Sequence, residues 1–167
     1  MRVGPPVGST AAKLSTFAFR CEALAEAGLH PVADYRPPAA QPNPAEPYAL
    51  RLLTLKRHYS INSSYGSLPV LLNAEPHMVC EIHPDDAGPR GIVDGAAVRI
   101  VNELGEVRCV AAVIDRVPPG TVAVPFGRWR SDPESGGANS LTSDRLGDLA
   151  HGPTFCDNLV HVAPASP

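Results

Sequence analysis

The chain has 167 residues, a length that suits one domain plus an extension. Its 14 basic and 17 acidic residues leave a net charge of −3, and no basic run is longer than Lys56-Arg57-His58, so nucleic-acid binding, which needs a clustered positive face, has little support. No apolar stretch approaches the ~20 residues of a membrane span, and the start, Met1-Arg2-Val3-Gly4-Pro5-Pro6, lacks the apolar centre of a signal peptide, so the expected location is cytoplasmic.

Aromatics are scarce at 5%, so the core must be built from Val, Leu, Ile and Ala. The 19 prolines and 14 glycines favour short strands joined by turns over a helical bundle. The four cysteines, Cys21, Cys80, Cys109 and Cys156, form no C-x-x-C pair and read as free thiols of a reducing compartment. Cys80 and His83 have the spacing of two metal ligands, but two ligands close no site. Cys80 also lies in an apolar strand pattern, which favours a core role and no metal.

Residues 1–47 form a proline-rich extension. Within it, Lys13–Phe19 reads as a short strand, and Cys21–Ala27 as a short helix that Gly28 ends. The stretch 31–47 should be extended. From residue 48 onward short apolar strands follow one another. Tyr48–Thr54 is the first, with Leu50 and Leu52 on one face. A polar loop follows over 55–69, then a strand over Met78–Ile82. His83-Pro84-Asp85-Asp86-Ala87 is a helical turn, with Pro84 at its first position and Gly91 as its stop. Asp85, Asp86 and Asp94 read as capping and turn residues, and Gly91, Gly95, Gly105 and Gly120 as turn glycines. Ala97–Asn102 and Glu106–Val117 make a strand pair around a tight turn. The second has apolar residues on both faces, as in a strand buried on both sides of a small barrel. Pro118-Pro119-Gly120 is a turn. Thr121–Pro125 is the next strand, 128–153 a long loop, and Leu159–Val162 the last strand.

Four segments in this order carry a specific pattern: His83-Pro84-Asp85-Asp86-Ala87, then Gly91-Ile92-Val93-Asp94-Gly95-Ala96-Ala97-Val98, then Val101-Asn102-Glu103-Leu104-Gly105-Glu106-Val107, then Val117-Pro118-Pro119-Gly120-Thr121-Val122. The pattern resembles the C-terminal molybdopterin-dinucleotide-binding domain of the dimethyl-sulfoxide-reductase family of molybdopterin oxidoreductases. Flanking pieces resemble it too: Leu53-Thr54-Leu55-Lys56-Arg57-His58, Ile61-Asn62-Ser63-Ser64-Tyr65, Phe126-Gly127-Arg128-Trp129 and Ala138-Asn139-Ser140-Leu141-Thr142. The resemblance covers about residues 12–163.

It implies a mainly β fold, a double-psi β-barrel of the aspartate-decarboxylase-like kind, with short helices and a barrel over residues 48–163. It implies a molybdopterin guanine dinucleotide cofactor whose molybdenum or tungsten is held mainly by other domains. The chain would then be the C-terminal domain or small subunit of an oxidoreductase of the nitrate, formate, sulfur- or arsenic-oxyanion type, with a larger catalytic chain as partner. By the same resemblance Thr54, Lys56, His58, Asn62 and Ser63 line one part of the pocket. Asn62 and Asn139 offer an amide edge to a heterocycle. Trp129 walls the pocket, and Phe155 and Asp157 lie where the family brings its last loop to the pterin. Many members have a basic residue near Asp157, so an acid there is a departure. No C-x-x-C-x-x-x-C cluster motif and no large upstream domain is present, so no residue is assigned a catalytic role. Two alternatives stand beside this reading. One is a free-standing pyruvoyl-type decarboxylase on the same barrel, for which Gly66-Ser67 is the bond that self-cleavage would need. The other is a non-catalytic binding module.

Overall fold

A computed structural model describes residues 18–32, 34–35, 37–38, 49–129, 136–147 and 151–165. The chain divides into two compact units, Met1–Arg36 and Pro37–Pro167. In the first, helix α1 spans Glu22–Glu26, Cys21 N–H donates to the Pro31 carbonyl at 2.7 Å, and Arg20 bridges Val32. The expected strand over Lys13–Phe19 falls outside the described residues except Ala18 and Phe19, which lie in no strand.

The second unit is a closed barrel of six strands: β1 (Leu50–Leu55), β2 (Val79–Ile82), β3 (Ala97–Asn102), β4 (Gly105–Val113), β5 (Thr121–Pro125) and β6 (Leu159–Pro164). Around the cylinder the order is β1, β5, β2, β4, β3, β6. Two pairings are parallel: β1 with β5, from Arg51 opposite Thr121 to Leu55 opposite Pro125, and β2 with β4, from Val79 opposite Val110 to Ile82 opposite Val113. The others are antiparallel. Alternate residues of each strand point inward. Leu50, Leu52, Cys80, Ile82, Val98, Ile100, Val107, Val122, Val124 and Val160 are almost wholly buried and fill the interior. Each fully buried aliphatic side chain of this size contributes about 1.5–3 kcal/mol.

Between β2 and β3, helix α3 (Pro84–Ala87) runs into a 3₁₀ turn (Gly88–Arg90). His83 caps it, its Nδ1 accepting the Asp85 N–H at 3.1 Å. The aspartates act elsewhere: Asp86 Oδ2 accepts the Gly120 N–H at 2.7 Å, and Asp94 Oδ1 accepts the Val113 N–H at 2.9 Å. Gly91, Gly95 and Gly120 have φ of 65°, 77° and 80°, but Gly105 does not have a positive φ. It is glycine for space, because a Cβ there would lie 2.8 Å from the Ser140 carbonyl oxygen.

Three expectations need correction. The β4 strand stops at Val113, not Val117, and only its Val107, Cys109, Ala111 face is buried in the core; Val110 and Ala112 are half-exposed. Inside the expected 128–153 loop lies a 3₁₀ turn at Ala138–Leu141, whose Ala138 and Leu141 enter the core, and helix α2 (Pro69–Ala74) starts where the expected 55–69 loop ends, in a stretch given no element.

Candidate functional site

A cleft of about 400 Å³ opens between the loop after β1, the exit of β5 and the 138–141 turn. It is lined by Asn62, Ser63, residues 126–129 and residues 137–140. Four of the nine expected site residues, Asn62, Ser63, Trp129 and Asn139, therefore meet in one place.

The local chemistry explains the meeting. Ile61 and Ser64 form a bridge, and the tight loop between them puts Asn62 at φ 53°. Asparagine tolerates that left-handed region. Tyr65, at φ 64°, does so at a cost and must be held by its surroundings. Gly127, at φ 96°, passes so close to this loop that a Cβ would collide with the Asn62 carbonyl. The loop is thus seated directly on the β5 exit. Lys56 joins from outside the cleft wall: its Nζ donates to Asn62 Oδ1 at 3.4 Å and stands 5.9 Å from the centre of the Phe126 ring.

A second cleft, about 470 Å³, holds Lys56 and His58 beside Arg57, His77 and Arg116. Arg128 lines both clefts, and its guanidinium donates to the Glu75 carbonyl. Arg57 is only 3% exposed at its side chain; its Nε donates to Glu75 Oε2 at 2.6 Å, while its Nη1 has no hydrogen-bond partner. Arg116 donates from Nε to Glu81 Oε2 at 3.0 Å, and this bond holds its guanidinium above the usual pKa.

The structure does not bring Thr54, Phe155 and Asp157 to the first cleft. Thr54 Oγ1 lies 3.7 Å from Cys156 Sγ, so it faces the last loop. Phe155 is exposed on that loop. Asp157 lies between Arg51 at 3.4 Å and Arg145 at 3.5 Å, and its carbonyl accepts a further 2.7 Å bond from Arg145. It lines a third cleft of about 580 Å³, with Asn102, Ser143 and Asn158. The acidic departure is thus charge-balanced by two arginines of this chain.

The sequence reading missed Phe126, Gly127, Arg128 and Arg57 as site-forming residues. The Phe126-Gly127-Arg128-Trp129 segment marked the first three, but the seat that Gly127 gives Asn62 is a contact between distant segments. The Arg57–Glu75 pair has no sequence signal at all. Cys80 lies wholly inside the barrel, and burial pushes its thiol well up, with Cys109 and Glu81 adding to the shift. Burial also pushes the Cys109 thiol up to about 12. Among the described residues no group of three or more His, Cys, Asp or Glu is placed to hold a metal.

Residues 50–159 match the family described as the molydopterin dinucleotide binding domain. The chain belongs to that family. This dinucleotide-binding domain is 37% identical over 122 residues to the dimethyl sulfoxide reductase DmsA of Haemophilus influenzae, covering 70% of this chain and 15% of that one. It is 35% identical over 145 residues to a trimethylamine-N-oxide reductase of the same organism, covering 73% and 17%. In fold it is similar to acetylene hydratase from Pelobacter acetylenicus, with a TM-score of 0.72 at 23% identity, over 85% of this chain and 22% of that one. The closed, mainly β barrel with short helices is the fold class the sequence led one to expect. The domain spans about 15% of the length of the dimethyl sulfoxide reductases it matches. Family membership sets aside the self-cleaving decarboxylase and the non-catalytic module. No helix among the described residues is long and apolar enough to cross a membrane.

Proposed function

We propose that the 400 Å³ cleft holds a heterocycle of a molybdopterin guanine dinucleotide, as one part of an oxidoreductase whose remaining domains hold the metal. The observation that carries this reading is the convergence of two amides, a hydroxyl and the chain's one tryptophan on a single cleft wall. Amide edges match the donor and acceptor edges of a guanine or pterin, and an indole face stacks on either. Ser63 supplies a hydroxyl. Lys56 and Arg128 supply positive charge at the rim for the pyrophosphate. When bound, the dithiolene-held metal supplies the redox chemistry; the residues here bind and orient the group that carries it.

The binding domain proper is residues 48–163, with 1–47 as its extension. Phe155 and Asp157 would meet the cofactor from the last loop, Thr54 from the end of β1 that faces it, and His58 from the neighbouring cleft. The partner is the larger catalytic portion of the oxidoreductase, joined to or associated with this domain. Four free thiols fit a reducing cytoplasm.

Trp129 makes the test direct. Titrating the full chain with guanosine diphosphate should change Trp129 emission saturably, and Asn139→Ala should weaken the response. Emission unmoved by millimolar nucleotide, while an unrelated indole-stacking ligand does move it, would overturn the placement. Metal analysis of the native assembly then tests the partnership: molybdenum or tungsten near stoichiometry with a large catalytic chain is the expected result.

A further inference from the structure

We propose that two asparagines outside the cleft, Asn102 and Asn158, are positioning residues for the cofactor site. This rests on the reading above and deepens it. Asn102 ends β3. Its Oδ1 accepts the Leu104 and Gly105 N–H groups at 3.0 and 3.3 Å and so shapes the β3–β4 turn. Its Nδ2 faces the other way and donates to the Leu141 carbonyl at 2.8 Å and the Leu159 carbonyl at 3.4 Å. The exit of the 138–141 turn, which carries Asn139, is tied by this amide to the barrel end.

Asn158 stands just before β6 and is 5% exposed. Its Oδ1 accepts the Ser143 N–H at 2.9 Å. Its Nδ2 donates to the carbonyls of Phe155 at 3.1 Å and Thr154 at 3.4 Å. Its own carbonyl accepts the Leu52 N–H at 2.9 Å, fixing the strut to β1. One amide therefore joins the segment after the 138–141 turn to the loop bearing Phe155, Cys156 and Asp157.

Both sites use both ends of the amide, which donates and accepts from one planar group. Aspartate has the same shape but cannot donate when ionised. Replacing either asparagine by aspartate therefore keeps one half of the strut and turns the other half into repulsion between oxygens. The two variants cut different loops. Asn102→Asp keeps the β3–β4 turn and releases the 138–141 turn. Asn158→Asp keeps Ser143 and releases residues 154–157.

Hydrogen exchange on the full chain reads this directly. Asn102→Asp is expected to speed exchange at Ser140 and Thr142, with the amides of β3 and β4 unchanged. Guanosine diphosphate affinity, read from Trp129 emission, should fall about tenfold, the size expected for losing one partly buried hydrogen bond and leaving its carbonyl partner unpaired. Asn158→Asp should instead speed exchange at Asp157 and leave Ser143 protected. Exchange unchanged in these loops overturns the proposal, and so does exchange that rises equally through the barrel strands, because the asparagines would then serve the fold alone. A wild-type chain silent to the nucleotide sinks the ligand placement, and the exchange pattern then decides the strut by itself.

Discussion

Cys80 and Cys109 line the barrel interior, where neither thiol can ionise without carrying charge into an apolar space. Unfolding releases both to ordinary values near 8.5. The folded chain therefore binds more protons than the unfolded chain between that value and about 12 for Cys109. The stability this supplies is complete below pH ~8.5 and is lost as pH rises through the window, by at most ~1.4 kcal/mol per pH unit per thiol. Thermal melts at pH 7 to 10.5 should show a decline that is shallower in Cys109→Ala. A thiol reagent at neutral pH should reach the exposed Cys21 and Cys156 at once, and Cys80 and Cys109 only after denaturation. The core role of both cysteines was legible, since each alternates with aliphatic residues along a strand. Gly127 was legible only as part of a segment. Its contact with Asn62 joins residues far apart in sequence, and no local pattern encodes it. Gly127→Ala should cost about 1–3 kcal/mol through strain and displace the Asn62 loop, seen as a lower denaturant midpoint and a shifted Trp129 emission.

Strands with a clean two-residue alternation, such as Leu50 and Leu52 in β1 or Val98 and Ile100 in β3, could be read directly because one side of each must be buried. The end of β4 could not. The apolar run continues to Ile114, with Val117 beyond Asp115 and Arg116, but Asp94 takes the Val113 N–H, and Ile114 N–H turns to the Ile82 carbonyl at 3.0 Å. Tertiary partners set that boundary. Helix α2 went unread because Leu68 supplies no polar cap and the helix is too short to show a period. The 138–141 turn is fixed from outside, by Asn102 and by the complete burial of Leu141. Leu141→Ala should therefore cost about 2–5 kcal/mol, as in other core truncations. Calorimetry should show the loss, with Trp129 emission reporting the loosened cleft. The site residues follow the same rule: Asn62, Ser63, Trp129 and Asn139 belong to segments whose order marked them, whereas their grouping apart from Thr54, Phe155 and Asp157 depends on how the loops fold back.

Across the whole molecule, neighbours in the barrel are rarely neighbours in sequence: β1 pairs with β5 and β6, and β2 with β4 and β5. Such non-local pairing makes folding slow, on the order of milliseconds to seconds. Stopped-flow refolding followed through Trp129 should lie in that range, and a microsecond phase carrying the full amplitude would contradict it. The mainly β class was legible from turn density and the barrel from the family resemblance and the two-faced apolar pattern of β4, but the strand order was not, because it depends on which strands meet. The domain spans about 15% of the length of its reductase relatives, and the larger catalytic portion proposed above would have to dock on its surface. Closure decides what kind of surface that is. Among the described residues the cylinder has no first and no last strand, and so no open sheet edge on which another chain could build. Recognition by added strands is closed to it. Whatever docks here must read side chains and loop ends, and the same absence of a raw edge protects the domain from stacking on its own copies.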